Sequence, residues 1–448
     1  MAWHGVWQIM LLRGIARWTG SAALALAGVS VGTLPAHAQV KVEPGSVDAA
    51  KAMIAAGQVD EARHLLESLS SRTPQDNEIE FLLGLLAMRA GEHDLAIRHF
   101  RSILVREPEA VRVRLELARA LYEDRQYENA YRQFQFARAG TSSPAVIGNI
   151  DRFLAAIRLE KSWSYDVTIA LAPDTNINNA TSASETTLFG LPFELDESAR
   201  RKSGVGLAIG ASAEIAPRVA PRVRLRLGAA ARRREYGGSD FDDTLLSLHA
   251  GPRLVLPRWD LSVVLTGFKR IYGDGPLTNG VGARAEGFHQ LDGRTDISFG
   301  ASAQHLRYPR SPDQTGMNLA AWSGVTRALT PASSLLPHAA VSRHAARADS
   351  QAYWWGKIGV GYYRDFAGGF SAYLEPSVSL TRYDAADPLF GGRRRDWGQE
   401  MQVALLNRRI VLSRFTPRVT YTFTRRRSTI ELFDFTQHGL EVGLTSTF

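Results

Sequence analysis

The chain has 448 residues, of which 45% are hydrophobic and 22% are charged, and its formal net charge is +8. These proportions are typical of folded protein and argue against intrinsic disorder. Beyond the N-terminus no apolar run reaches the length of a membrane-spanning helix, so any membrane crossing must use strands. The sequence contains no cysteine, which excludes disulfides, a lipidated cysteine and cysteine-based metal sites.

The N-terminus resembles a secretory signal. Two arginines precede an apolar stretch that ends in the small-residue sequence A-H-A. This pattern predicts a signal peptide over residues 1–38, with cleavage between Ala38 and Gln39, and therefore export from the cytoplasm. A membrane anchor is the alternative, which the short apolar stretch and the small residues after it disfavour.

The charge is unevenly distributed. Residues 39–160 carry 16 basic and 18 acidic side chains, whereas residues 161–448 carry 35 basic and 27 acidic ones. In a cytosolic protein such a basic region would suggest a nucleic-acid partner. Because the chain is expected to be exported, we expect that it does not bind nucleic acid. Anionic lipopolysaccharide or a translocated substrate is then the expected partner of the basic region.

A repeat of 34 residues is the clearest pattern in the first third of the chain. In each copy an alanine is followed four residues later by a large apolar residue, and proline closes the first two copies in register. This alanine, large apolar residue and proline pattern is typical of tetratricopeptide repeats. The candidate repeat core is Ala62, Leu66, Ala96, Phe100, Ala130 and Phe134.

The repeats predict an all-helical domain over residues 39–160, placed in the periplasm. The small alanine lets the two helices of one repeat approach closely, and the large residue packs into the next repeat. Such arrays offer a concave groove for a partner. The alternative is a spacer that only holds the N-terminal end of the next domain in place.

From residue 163 onward the helical period gives way to strand-length segments in which apolar and polar residues alternate. Val419, Tyr421 and Phe423, for example, alternate with polar residues that would face inward. Turn residues divide the region into fourteen strands, beginning near residues 163, 203, 220, 241, 259, 278, 294, 316, 333, 351, 369, 394, 414 and 434. The pattern predicts a fourteen-stranded antiparallel outer-membrane β-barrel over residues 161–448.

The connections support this interpretation. Those on the side of the helical domain are short, whereas most on the opposite side are longer, including 173–202, 307–315 and 383–393. Short periplasmic turns and longer outer loops are typical of outer-membrane barrels. A soluble β-sandwich is the alternative, and it gives no reason for loop lengths to alternate.

The last strand is amphipathic and ends in an aromatic residue. Leu440, Val442 and Leu444 share one face, and the chain ends at Phe448. A terminal phenylalanine on such a strand resembles the signal by which the barrel assembly machinery recognises its substrates. We therefore expect that machinery as a partner and a monomeric barrel in the bacterial outer membrane.

Three arginine triplets map to the outer ends of strands. Because guanidinium groups bind phosphates bidentately, we predict that these arginines contact lipopolysaccharide, with solvated loop charge as the alternative. The triplets are Arg232, Arg233 and Arg234; Arg393, Arg394 and Arg395; and Arg425, Arg426 and Arg427.

The segment A-P-D-T-N-I-N-N-A comes directly after the first strand. Together with the repeats and the barrel, it resembles the surface lipoprotein assembly modulator (Slam) family, the translocators of the type eleven secretion system. The resemblance implies that the barrel moves a lipoprotein or a soluble haem- or metal-acquisition protein to the cell surface, with the repeats helping to receive it. Asn176, Asn178 and Asn179 carry the motif, although a polar turn that caps the strand end also explains them.

The sequence does not suggest an enzyme or a bound cofactor, since its eleven histidines are scattered and no H-E-x-x-H motif occurs. A diffusion porin or an exopolysaccharide export barrel is the alternative function. A porin needs no repeat domain, and polysaccharide exporters usually carry longer repeat arrays.

Overall fold

A computed structural model describes residues 43, 45–160, 162–410 and 415–445. The described residues form seven α-helices followed by a closed antiparallel barrel of fourteen strands. Both the order of the two parts and the number of strands confirm the sequence prediction. The predicted signal peptide, its cleavage site at Ala38 and Gln39, and the terminal Phe448 lie outside the described residues.

The helices form three antiparallel pairs and a longer final helix. No described helix has the length and apolarity needed to cross a membrane. Their bounds are α1 Val47–Ala55, α2 Val59–Arg72, α3 Asn77–Arg89, α4 His93–Arg106, α5 Val111–Glu123, α6 Tyr127–Ala139 and α7 Pro144–Glu160.

The turn inside each pair has the same left-handed backbone. Gly57 and Gly91 adopt φ values of +80° and +75°, and Arg125, at the same position of the third repeat, adopts +62°. Glycine reaches this region without the steric cost that a side chain brings. The third turn therefore keeps the geometry of the other two at some cost in backbone strain.

The repeat residues form the helical core. Gly84 shows how closely the helices approach, because a Cβ atom there would lie 2.6 Å from the Phe100 Cε1 atom. The Phe134 ring stacks on Phe153 of α7, with centroids 4.8 Å apart, and joins the third repeat to the final helix. All six predicted core residues are buried: Ala62, Leu66, Ala96, Phe100, Ala130 and Phe134.

The barrel closes through pairing of its first and last strands. An even strand number returns the end of the last strand to the helical side, called inner here; the opposite side is called outer. The strands are β1 Trp163–Asp174, β2 Gly204–Ile215, β3 Val223–Tyr236, β4 Asp243–Val255, β5 Trp259–Tyr272, β6 Gly275–Asp292, β7 Thr295–Arg307, β8 Gly316–Thr330, β9 Ser333–Ala346, β10 Tyr353–Asp365, β11 Phe370–Ala386, β12 Arg393–Asn407, β13 Thr416–Ser428 and β14 Phe435–Thr445.

Side chains alternate across the barrel wall as predicted. On β13, Val419 and Tyr421 are exposed on the outer surface, whereas Thr420 between them is buried inside. The same alternation exposes Val205, Leu207 and Ile209 of β2. An apolar exterior around a polar interior is the pattern of a barrel that sits in lipid.

Most connections follow the predicted difference in length. The inner connections 256–258, 293–294 and 331–332 are short, whereas the first outer connection, 175–203, contains its own hairpin of strands Glu185–Leu188 and Leu191–Glu194. The hairpin was not predicted. Three connections depart from the rule: outer connection 273–274 has two residues, inner connection 216–222 includes a short strand, and inner connection 408–415 is longer than several outer ones.

Candidate functional site

The helical domain lies against the inner mouth of the barrel. It contacts each of the six inner connections or the strand ends beside them. Later strands are contacted by earlier helices, so the helical chain follows the barrel mouth in the direction opposite to the strand order. In ring order from β2 to β13, the contacting helical residues are Leu159, Arg158, Asp151, Gly140, Val105 and Leu104. The second and third repeats and α7 therefore form a cover over the inner mouth.

One anchor of this cover is the carboxylate of Asp365 at the end of β10. Arg114 of α5 donates to it at 2.8 Å, and both side chains are almost completely buried. Arg408, beyond the end of β12, lies 3.4 Å from the same carboxylate, and Tyr363 and Ser371 each donate to it at 2.6 Å. Burial lowers the pKa of Arg114, an effect that the charge of Asp365 opposes.

A second anchor is Asp296 at the start of β7. The Tyr131 hydroxyl donates to its carboxylate at 2.9 Å, and the Gln135 side-chain amide donates at 2.5 Å. Burial, followed by the nearby charge of Asp296, raises the pKa of Tyr131 well above its usual value. The phenol therefore stays protonated and remains a hydrogen-bond donor.

The end of α7 is fixed just before the chain enters the barrel. Glu160 accepts hydrogen bonds from the hydroxyls of Tyr122, at 2.9 Å, and Tyr127, at 3.1 Å. Arg158 donates to the side chain of Gln290 and to the backbone carbonyl of Pro257. These contacts set the orientation of the helical domain at its covalent junction with β1.

The asparagine motif lies at the outer end of the seam between β1 and β14. Asn176 is fully buried, and its side chain donates to the carbonyls of Ala180, at 2.9 Å, and Thr436, at 3.2 Å. Gln437 of β14 donates to the Asp174 carboxylate at 2.8 Å. The first outer connection is thereby bonded to the last strand.

The other two asparagines of the motif stabilise the loop itself. The Asn178 side chain donates to the Arg200 carbonyl at 2.7 Å and accepts from the Lys202 amide at 3.0 Å. Asn179 adopts a left-handed φ of +52°. Every one of these contacts is internal, and together they match the polar turn described from the sequence.

Ion pairs link different strands inside the barrel. Arg226 of β3 contacts Glu214 at 2.9 Å and Glu286 at 2.7 Å, and His249 lies 2.9 Å from Glu214. On the opposite wall, Lys357 lies 3.4 Å from Glu400. The interior is thus lined with paired charges of both signs.

The strand pleat divides the arginine triplets, so the expectation that all nine face lipopolysaccharide is wrong. All three triplets lie at outer strand ends, but successive side chains point to opposite faces. The inward-facing members are Arg232, Arg234, Arg394 and Arg426, and the outward-facing members are Arg233, Arg393, Arg395, Arg425 and Arg427.

The last strand shows the predicted amphipathic pattern. Leu440, Val442 and Leu444 face outward, whereas Glu441 faces the interior and pairs with Arg234. Within the described part of the chain, no group of three or more acidic or histidine side chains is arranged to hold a metal ion.

Sequence reasoning missed the residues that join the two domains. No sequence motif marks the charged residues Arg114, Asp365 and Asp296. The partners of Asp365 and Asp296 are also far away in the sequence. A charged residue inside an apolar helix face was the one available signal. Arg114 is such a residue, since it lies between Val113 and Leu117 on the buried side of α5.

Comparison with known proteins identifies both parts of the chain. Residues 163–448 match the family model "Surface lipoprotein assembly modifier", and residues 38–134 match the model of that family's N-terminal tetratricopeptide repeats. The hemophilin secretion modulator of Acinetobacter baumannii is 24% identical over 82% of this chain and 78% of its own length. The surface lipoprotein assembly modifier of Moraxella catarrhalis is 25% identical over 82% of this chain and 73% of its own.

A third relative, surface lipoprotein assembly modifier 1 of Neisseria meningitidis, is 23% identical over 82% of this chain and 75% of its own length. The family match, the closed barrel and the apolar exterior together place the barrel in the outer membrane, with the helical domain on the periplasmic side. The chain belongs to the surface lipoprotein assembly modifier family.

Proposed function

We propose that this chain is a translocator that moves a particular lipoprotein or a soluble haem- or metal-acquisition protein to the cell surface. The observation that carries the proposal is the position of the helical domain against all six periplasmic connections or the strand ends beside them. A protein held by the repeats is delivered at the barrel entrance. The repeats thus help to receive the cargo as well as covering the barrel.

The relatives support this class of cargo. One is named a modulator of hemophilin secretion and the others modifiers of surface lipoprotein assembly. We extend both cargo classes to this chain, since it covers most of the length of each relative. The chain acts as a monomer that the barrel assembly machinery inserts.

The route of the cargo is the seam between β1 and β14. A fourteen-stranded barrel is intermediate between filled eight-stranded barrels and open porins of sixteen or more strands. A folded cargo domain does not fit such an interior, and ion pairs such as Arg226 with Glu286 occupy part of it. Opening the seam would provide a wider exit without emptying the interior.

The test is co-expression with the product of the adjacent gene, followed by protease treatment of intact cells. Cargo that becomes protease-sensitive only when this protein is present supports translocation. Cargo that stays equally protected in both strains contradicts it.

A further inference from the structure

A basic patch lies on the membrane-facing side of three adjacent strands. Arg382 of β11, Arg395 of β12, and Arg425 and Arg427 of β13 all point outward and are exposed. These residues sit at the outer ends of their strands. Arg382 belongs to none of the arginine triplets, but the pairing of β11 with β12 places it beside Arg395.

Two of these arginines oppose each other directly. Arg382 and Arg395 are paired in the register of β11 and β12, and both side chains lie on the outer surface. Like charges in directly opposed positions destabilise a sheet. An anion bound between the two guanidinium groups would convert this repulsion into attraction.

The height of the patch matches the position of lipid headgroups. Trp397, two residues further along β12, is 60% exposed, and it pairs with Arg427 across the ladder. Below it on the same face lie Met401 and Phe423, which pair directly with each other. Tryptophan marks the membrane interface and apolar residues the hydrocarbon layer. The arginines therefore lie where phosphate groups of outer-leaflet lipid are found.

The patch also lacks carboxylate partners of its own. Among the described outward residues of β11, β12 and β13, the one acidic side chain is Asp384, which Arg343 of β9 already engages at 2.9 Å. Two other exposed arginines at the outer side do have acidic partners: Arg233 lies 2.7 Å from Asp242, and Arg310 lies 2.8 Å from Asp274. The patch therefore differs from these two paired positions in its lack of a neighbouring carboxylate.

From these observations we infer that Arg382, Arg395 and Arg427 bind the phosphate groups of lipid A, with Arg425 contributing at the edge of the site. Guanidinium groups bind phosphate oxygens bidentately, and the arginine stems cover apolar surface while their heads reach the headgroup layer. The site fixes one side of the barrel, β11 to β13, in the outer leaflet. It rests on the outer-membrane location of the barrel and does not depend on the translocation proposal.

The test uses the full-length protein in lipid nanodiscs and fluorescent bisphosphorylated lipid A as the probe. The triple variant Arg382→Gln, Arg395→Gln and Arg427→Gln is expected to bind about a hundredfold more weakly than wild type, from three surface cation contacts. The matched control is Arg119→Gln in α5 with Arg233→Gln and Arg310→Gln, which removes the same charge from arginines that already have acidic partners. This control is expected to bind like wild type.

Three results would overturn the inference. The first is equal binding by the triple variant and wild type. The second is equal loss in the triple variant and the control, which would indicate a nonspecific effect of net charge. The third is that dephosphorylated lipid A binds as tightly as the bisphosphorylated form, because the site would then recognise the acyl chains. Complete displacement of the probe by millimolar inorganic phosphate would count equally against the inference, because the site would then bind the free ion.

Discussion

Arg114 and Asp365 are 251 residues apart in the chain, yet they form a buried ion pair with a nitrogen–oxygen distance of 2.8 Å. The pair joins α5 of the repeat domain to the periplasmic end of β10. A buried charge that loses its partner is much more costly than an exposed one. The pair therefore makes the position of the repeats on the barrel specific.

The first prediction concerns this pair. Asp365→Asn removes the carboxylate that Arg114 and Arg408 share, and we expect it to destabilise the docked helical domain by about 3–5 kcal/mol. The measurement is urea unfolding followed by the far-ultraviolet dichroism of the helices, because the barrel contributes little helical signal. Asp384→Asn, which breaks a more exposed pair with Arg343, is the control and should cost about 0–1 kcal/mol. Equal midpoints for the two variants would contradict the role of Asp365.

The second prediction concerns the repeat core. Phe134 is buried and stacks on Phe153, so Phe134→Ala leaves a cavity between the third repeat and α7. We expect a loss of about 3–5 kcal/mol in the free energy of unfolding of the helical domain. The same urea titration measures it. Phe189→Ala serves as the control, since Phe189 is 73% exposed in an outer hairpin, and an equal effect of the two changes would be inconsistent with the packing.

The third prediction concerns the asparagine motif. Asn176→Ala removes the hydrogen bonds that the buried Asn176 side chain donates to the partly buried carbonyls of Ala180 and Thr436. We expect the outer end of the seam to lose about 1–3 kcal/mol, and the barrel to unfold at a lower temperature in a heat-modifiability gel. Asn179→Gly should behave like wild type, because glycine adopts the φ of +52° at that position readily. If the Asn176→Ala variant unfolds at the same temperature as wild type, the motif does not stabilise the seam.

The fourth prediction tests the lateral route. Leu171 and Val442 are directly opposed in the pairing of β1 and β14, which is the geometry that a cross-strand disulfide needs. Because the chain has no cysteine, the variant Leu171→Cys with Val442→Cys forms a defined crosslink. Oxidised protein should fail to export cargo and should recover on reduction. The control pair is Leu248→Cys with Gly267→Cys, which crosslinks β4 to β5 away from the seam and should leave export intact.

Undiminished export by the oxidised seam variant would exclude the lateral route. Loss of export in both crosslinked proteins would instead show that any restraint on the barrel wall is harmful. The single-cysteine variants separate the effect of each substitution from that of the bond.

The fold was largely predictable because it depends on periodic signals. The spacing of Ala62, Ala96 and Ala130 gives the repeat length directly, and alternation such as that of Val419, Thr420 and Tyr421 gives the strand faces. Turn residues then separate the strands. These signals are local, so each segment carries its own evidence.

The contacts between elements were not predictable in the same way. Nothing near Asp365 in the sequence points to Arg114. The role proposed for Arg382 depends on the strand register, which places it opposite Arg395. The division of the arginine triplets does follow from strand periodicity, since adjacent residues face opposite sides. Each triplet therefore has members on both faces of the barrel wall.

The most direct test of the proposed function is surface display of cargo in a strain that lacks the gene for this protein. The product of the adjacent gene is expressed with wild-type protein or without it, and intact cells are treated with protease. We predict that the cargo is degraded only when the protein is present, while a periplasmic marker stays intact in both strains. Cargo that is equally protected, or equally degraded, in the two strains would contradict the translocator function.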